Sequence, residues 1–417
     1  MNRRAGKIRV LLSAYACEPG RGSEPGVGWN VARELSSRVS LRVITRANNK
    51  KAILQSGEDW VDNVEWIFWD PPKWLTFWKK GGRGVQLFYL IWQWGVKAVA
   101  QDALRNQDAD VIHHVTFGKY WVPSRLAGLK RPFIFGPVGG GEETPPGLAG
   151  GFSLRSRLSD WLKKMATWFV GRFPPSVRLL NSASWTFAAT PQTERALKDA
   201  GVTRVSVLPQ SGIQMADFDR VKLPSEKAPF PSTELRLVSA SRLIGWKAVD
   251  LAIEAVAMAS TRIDVKLAVL QDGPERDALV ALVDSLGASE IIEFKGKLPT
   301  LDSVYQEILG SDALIHPALH EAFGQSCVES LALGRPVICL NWGGPGIIVN
   351  DSCGYLVEPG DRDDTVKRMA EVIVEAGIEK ANGLSKEESC RERAALDFSW
   401  DKIVDCMVVK YCSIIEG

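Results

Sequence analysis

Short apolar runs alternating with amphipathic stretches predict an α/β protein of two Rossmann-like domains, each a parallel sheet with helices on both faces. Three observations carry this. Many strand candidates are continuous apolar runs, as in strands buried on both sides. The rhythm breaks over Val221–Thr233 (VKLPSEKAPFPST), rich in Pro and charge and without periodicity, which reads as a linker. At 417 residues the chain also exceeds the roughly 250–300 residues at which one core stops growing. The expected organisation is a first domain over residues 1–220, the linker 221–233, a second domain over 234–398, and a terminal helix over 399–417 that packs back on the first domain. Two such sheets facing each other across a cleft would present a ligand site at the carboxyl ends of their strands.

The strands expected in the first half are Ile8–Ala16, Ser40–Arg46, Val64–Trp69, Asp110–Val115, Pro132–Pro137, Trp185–Ala189 and Val205–Leu208. In the second half they are Leu235–Ala240, Val265–Leu270, Ile291–Phe294, Ala313–His316 and Pro336–Leu340. Helical periodicity separates them, as in Val27–Ser36, Ala248–Ala259, Glu275–Leu286 and Ser326–Leu333, and Trp400–Ile415 reads as a last amphipathic helix.

Composition narrows the function classes. Hydrophobic residues at 45% and charged residues at 24% describe an ordinary globular chain, not a disordered one. Lys plus Arg total 51 against 49 Asp plus Glu, so no global field calls for nucleic acid as partner. The first apolar run reads as a strand, not a signal peptide, and no stretch of about 18 apolar residues exists to cross a bilayer. Seven cysteines with no CxxC spacing argue against a disulfide framework or zinc site and for a reducing cytoplasm.

The richest segment is HPALHEAFGQSCVESLALGRPVICLNWGGPG, from His316 to Gly346. A strand leads into a loop bearing Glu321; Gly324 then opens a helix carrying Glu329, and Gly334 and Pro336 end it. The first free N–H groups of such a helix attract phosphate or an electron-rich sugar oxygen, Gly324 permits close approach, and the two carboxylates suit hydrogen bonds to vicinal hydroxyls.

This block, with SASRLIGWKAVDLAIEA from Ser239, LQDGPERDAL from Leu270, FKGKLP from Phe294 and CGYLVEPGD from Cys353, resembles the C-terminal domain of family 4 glycosyltransferases. In the first half, SAYACEPGRGSEPGVGWNVA from Ser13, DVIHHVTFGKYW from Asp110 and FGPVGGGEETP from Phe135 resemble that family's N-terminal domain. The resemblance implies the two-domain GT-B fold and a retaining, metal-independent hexosyl transfer from a UDP- or GDP-linked sugar to an acceptor hydroxyl, the nucleotide sugar being a substrate and no cofactor being needed. By position, Arg242 and Lys247 resemble the pair that grips the donor diphosphate, where fixed cations stabilise the charge developing on the leaving group. Glu329 resembles the residue that holds the ribose and Glu321 the one that contacts the donor sugar. Phe323, Gly324 and Gln325 resemble the residues whose amides line the sugar and distal phosphate, and Lys297 and Leu298 fall where the base-contacting backbone lies.

The family's cleft histidine has no simple counterpart. Many members carry two His separated by one residue; here His113 and His114 are adjacent and Val115 holds the expected second position. Along a strand the two face opposite sides, so at most one reaches the sugar, and His114 is favoured. The loop after the first strand, with Gly20, Gly22, Gly26 and Gly28, resembles the family's Gly-rich loop between acceptor and diphosphate; Pro25 breaks the GxGxxG dinucleotide fingerprint, which disfavours a dehydrogenase. Gly139 and Gly140 are expected on the acceptor side. Asp217-Phe218-Asp219 lies in the run-up to the linker and is not read as a metal motif.

Twelve of the 15 Trp lie before residue 186. Residues 71–100 combine Lys73, Lys79, Lys80, Arg83 and Lys97 with Trp74, Trp78, Trp92 and Trp94 and contain no acidic residue; residues 151–180 combine six basic residues with Trp161 and Trp168. Basic flanks with interfacial aromatics suit an anionic membrane surface and, with it, a lipid-linked or cell-surface glycan acceptor. The alternatives are a nucleotide-sugar epimerase of the same architecture and a donor-binding subunit without activity.

Overall fold

The computed structural model describes residues 7–79, 81, 84–148, 165, 168, 173–221 and 233–416. The chain forms two compact units. One comprises Met1–Gly141, Lys164–Ser211 and Trp400–Gly417, the other Glu142–Lys163 and Gly212–Ser399. Where the sequence expectation divides the chain after residue 220, the structure divides it at Ser211/Gly212. Ile213 pairs with Ser399 and Phe218 packs against Tyr305, which fastens this stretch to the second unit. The expected linker falls almost wholly outside the described residues.

In the first unit, β1 (Arg9–Ser13), β2 (Ser40–Thr45), β3 (Glu65–Phe68), β4 (Val111–His114), β5 (Phe133–Val138), β6 (Trp185–Ala188) and β7 (Val205–Val207) form one sheet in the order β3-β2-β1-β4-β5-β6-β7. In the second, β8 (Leu235–Ser239), β9 (Val265–Leu270), β10 (Ile292–Gly296), β11 (Ala313–His316), β12 (Val337–Leu340) and β13 (Gly354–Val357) have the order β10-β9-β8-β11-β12-β13. Every pairing is parallel. Each expected strand forms within a few residues of its expected ends. β13 was not among them, because CGYLVEP is short and reads equally as a turn.

Alternation along β1 and β4 divides the first unit's core. Val10, Leu12, Val111 and Ile134 join one cluster with Trp29 and the terminal helix, while Leu11, Ile112, Phe133 and Phe135 join another with Tyr89 and Trp92 of the helix Val85–Asn106. The Trp excess is mostly interior: Trp29 and Trp92 are buried, and Trp60, Trp66, Trp69, Trp121 and Trp185 pack partly buried against these clusters. The second unit's sheet is likewise covered on both faces by two separate clusters.

The helix Trp400–Glu416 buries Trp400, Ile403, Val404, Met407 and Tyr411, one stripe at helical spacing, and belongs to the first unit. Arg38 anchors it by ion pairs to Asp401 and to Asp405 at 3.0 Å. Beneath it the Tyr411 hydroxyl meets His113 Nδ1 at 2.6 Å. Tyr411→Phe, which leaves a buried ring nitrogen without its partner, should destabilise by about 1–3 kcal/mol. Tyr411→Ala should cost about 3–5 kcal/mol, as loss of a buried aromatic does. Urea denaturation of both variants checks this order; an unshifted midpoint for Tyr411→Phe would show that the hydrogen bond contributes nothing.

Candidate functional site

In each sheet the strand order reverses beside the first strand. The chain leaves β8 toward one face and β11, its parallel neighbour, toward the other. The loops after these two strands therefore part and leave a crevice at their carboxyl ends, the usual ligand position of such sheets. Both loops carry the residues singled out by sequence.

After β8, Arg242 is exposed, and Lys247 ends a 3-10 turn (Gly245–Lys247) before the helix Val249–Ala259. Ala248 takes a left-handed φ of 49° to make that junction. After β11, Glu321 stands in the loop before the helix Gln325–Ala332. Lys247 Nζ and Glu321 Oε2 form an ion pair with both side chains largely shielded from water. Burial lowers the Lys247 pKa. A hydrogen bond from Leu319 N to Trp246 O (2.9 Å) ties the two loops together.

Gly324 caps the helix at φ 96°, and a Cβ there would come within 3.1 Å of Pro345. The sequence reading gave no role to the Gly343-Gly344-Pro345 turn, yet it buttresses this loop. Gly344 N donates to Glu321 O at 2.9 Å, and a Cβ on Gly344 would lie 2.2 Å from Phe323 O. The signal for it was the paired glycines directly after β12. Gly273, in the Gln271–Pro274 turn, similarly lies against Leu243 O, so that turn supports the Arg242 loop.

Glu329 is held by Gln325 and by Tyr305 of the neighbouring helix Leu301–Leu309, and enclosure of its carboxyl raises its pKa from 4.5 to about 7 against those hydrogen bonds. Beyond β10, Lys297 is exposed and Leu298 packs at the edge of a core cluster. The structure thus brings Lys247 and Glu321 into contact. It also reveals His316, at the end of β11, beside them: its Nε2 lies 3.6 Å from Glu321 Oε2.

In the first unit the histidines depart from expectation. They do face opposite sides of β4, but both are fully buried. His113 is held by Tyr411 and by Gly136 O at 2.7 Å. His114 is held by Ser13 Oγ and Tyr89 Oη, each at 2.9 Å, and by Gln93. Burial pushes the pKa of His113 down to about 4 and that of His114 to about 3, so both are neutral rings. The expectation that one of them opens onto a ligand is corrected: the helix Val85–Asn106 covers His114 and the terminal helix covers His113.

The Gly-rich loop is spaced by its own packing. A Cβ on Gly26 would lie 2.3 Å from Arg21 O and one on Gly28 2.0 Å from Ala16 O, whereas Gly22 faces open space. Glu24, unremarked in the sequence, accepts from Phe117 N (2.8 Å) and Gln210 Nε2 (3.0 Å) and so joins the loops after β1, β4 and β7. Burial raises its pKa. Gly139 N donates to Gly118 O at 2.9 Å, and Gly140, at φ 107°, has Trp121 where a Cβ would stand. Asp217 and Asp219 flank the buried Phe218 and lie near Arg220 and Arg391. Among the described residues no group of three His, Cys, Asp or Glu is arranged to hold a metal ion.

Of the expected surface aromatics, Trp74, Trp94 and Trp168 are 72%, 67% and 55% exposed, and Trp78 is half-buried against the core. Lys80, Arg83, Trp161 and most of the basic stretch 151–180 lie outside the described residues. Among the described residues no helix is long and apolar enough to cross a membrane.

Comparison with known proteins accords with this geometry. The chain is 28% identical over 185 residues to the N-acetyl-alpha-D-glucosaminyl L-malate synthase of Bacillus anthracis, covering 44% of this chain and 47% of that protein. It is 26% identical over 241 residues to a lipopolysaccharide core biosynthesis glycosyltransferase of Rhizobium meliloti, covering 57% and 64%. Each match thus spans less than two thirds of the relative. The crystal structure of Anabaena HepE in complex with UDP and glucose superposes with a TM-score of 0.60 at 18% identity, over 97% of this chain and 100% of that one, so the fold is GT-B, with two parallel-sheet domains. Residues 222–394 match the sequence profile described as glycosyl transferases group 1, and the domain they form belongs to that family.

Proposed function

We propose that the protein is a retaining glycosyltransferase that moves a hexose from a nucleotide diphosphate sugar to an acceptor hydroxyl. The observation that carries this is the convergence of Lys247, Glu321 and the Gly324-capped helix at the crossover of β8 and β11. UDP in the HepE complex supports a nucleoside diphosphate as the ligand.

In this reading Arg242 and Lys247 neutralise the diphosphate as the glycosidic bond breaks. Lys247 is a point charge, Arg242 a planar fork, and their fixed placement lowers the barrier by stabilising charge that develops only in the transition state. The helix amides from Gly324 onward add donors toward the phosphate and sugar. Glu321 orients the sugar hydroxyls and Glu329 the ribose. The acceptor attacks on the face that the diphosphate leaves, and the diphosphate oxygen takes its proton, so no protein base and no metal is required. An epimerase would use the same donor site; a panel of nucleotide sugars separates the readings, since a transferase releases the nucleotide and an epimerase returns a new nucleotide sugar.

Lys247→Ala should lower turnover by about 100-fold or more, as loss of a transition-state cation does. Steady-state kinetics with the active donor checks it, and unchanged turnover together with unchanged diphosphate affinity would remove Lys247 from the site.

Glu329 adds a pH signature. Its pKa in the folded protein is raised to about 7, so its contribution to stability is fully present below its ordinary value of 4.5 and is lost as pH rises from there through about 7. The ionised carboxylate accepts ribose hydroxyls more strongly than the neutral acid, so nucleoside diphosphate affinity should increase between pH 6 and 8. Glu329→Gln should lose that component and weaken binding by about 10- to 100-fold, the worth of a charged hydrogen bond. Calorimetric titration of UDP or GDP into both proteins across this range checks it; parallel pH profiles would separate Glu329 from the ribose.

The acceptor is proposed to be lipid-linked, a precursor of a cell-surface glycan, met at an anionic membrane surface. Trp74, Phe77, Leu87, Leu90 and Trp94 are exposed among Lys73, Lys79 and Lys97. Exposed apolar groups of this extent mark interaction surfaces, and each basic residue near an anionic leaflet contributes about 1 kcal/mol. Co-sedimentation with phosphatidylglycerol vesicles should rise with anionic lipid and fall only partly in high salt. Trp74→Ser combined with Phe77→Ser should weaken the salt-resistant part; absence of binding to acidic vesicles would leave a soluble acceptor.

A further inference from the structure

His316 is the last residue of β11 and is 2% exposed. Its Nδ1 is 3.1 Å from Ser241 Oγ, in the loop after β8, and 3.4 Å from Ser326 Oγ, in the first turn of the helix Gln325–Ala332. Its Nε2 is buried without a hydrogen-bond partner, 3.6 Å from Glu321 Oε2. That oxygen is the one Lys247 holds. Burial and the nearby Lys247 charge keep the imidazole neutral, and a neutral imidazole has one N–H to place. With Ser241 Oγ–H donating to Nδ1, the ring proton resides on Nε2 and is directed at Glu321. A buried nitrogen left without a partner is destabilising, and a leucine would fill the space without that cost. The polar ring is therefore unexplained by packing.

We propose that His316 is a positioning residue of the donor site: its Nε2–H takes over Glu321 Oε2 when Lys247 turns to the donor diphosphate, and so keeps the Glu321 carboxylate aimed at the sugar. The inference rests on the donor-site reading of Lys247 and Glu321. In the free protein Lys247 and Glu321 neutralise each other. A bound diphosphate competes for the lysine, and Glu321 then needs a second donor to remain oriented in a part-buried site. Closing 3.6 Å into hydrogen-bond range takes a shift of under about 1 Å. Ser241 follows β8, while His316 ends β11 and Glu321 stands in the loop after it, so the relay Ser241–His316–Glu321 links the two strands that carry the site.

Two substitutions separate this role from simple packing. In His316→Gln the amide nitrogen takes roughly the place of Nε2 and can still donate to Glu321. In His316→Asn it takes roughly the place of Nδ1, so the Ser241 contact survives and the Glu321 contact is lost. The probes are UDP and GDP for binding, and UDP-glucose and GDP-mannose for turnover. The expected result is that His316→Asn lowers kcat about 10-fold or more, the worth of one lost hydrogen bond to a charged group, with the dissociation constant of the nucleoside diphosphate unchanged. His316→Gln should recover most of that loss, and in a Glu321→Gln background His316→Asn should have little further effect. Equal kcat in all His316 variants overturns the proposal. So does an equal loss in Asn and Gln with lowered thermal stability, or full additivity with Glu321→Gln. If the unsubstituted protein binds neither UDP nor GDP and turns over neither sugar nucleotide, the donor-site reading itself fails.

Discussion

Parallel pairing of β8 with β11 is the constraint on which the second unit's chemistry depends. A parallel sheet cannot be joined by tight hairpins, so every strand hands the chain to a crossover segment that returns along one face. Where the order reverses, successive crossovers occupy opposite faces and the loops diverge. Lys247 and Glu321, 74 residues apart, meet because each sits in one of the two loops that flank this reversal. The first unit repeats the geometry at β1 and β4, where Glu24 and the Phe117 amide meet.

Stability and chemistry are drawn from different parts of the same sheets. Strand interiors and helix stripes supply aliphatic and Trp burial on both faces, the dominant favourable contribution to folding. At the strand ends of the second unit the balance is reversed. Lys247 is depressed, Glu329 raised and His316 held neutral, each chiefly by withdrawal from water. Burying charge costs stability unless it is paired, and Lys247 with Glu321 shows the pairing that makes such a cluster tolerable in the absence of a ligand.

Glycines do two kinds of work around this cluster. Gly324 supplies a left-handed cap. Gly344 supplies space, because any side chain there would collide with Phe323 O. Together they bring two loops and a helix N-terminus within contact of Glu321. The Gly26 and Gly28 positions in the first unit answer to backbone packing of their own loop.

What the sequence by itself determined was the class of fold and nearly every element. Continuous apolar runs such as Val265–Leu270 and Ala313–His316 have no other economical folding than a doubly covered strand, and those patterns are local. The helix start at Gly324 and the pair Glu321 and Glu329 were legible for the same reason, since spacing along one chain sets them. Only the tertiary structure decided which side chains share an environment. His113 and His114 are adjacent in sequence and were the natural candidates to face a ligand, yet covering helices enclose both, one from near residue 89 and one from residue 411. His316 gave no signal of its own, because its partners Ser241, Glu321 and Lys247 come from two loops that only the strand order brings together. Local pattern dictates which backbone forms; burial and the meeting of distant loops depend on how the sheets are covered, and that is a property of the whole fold.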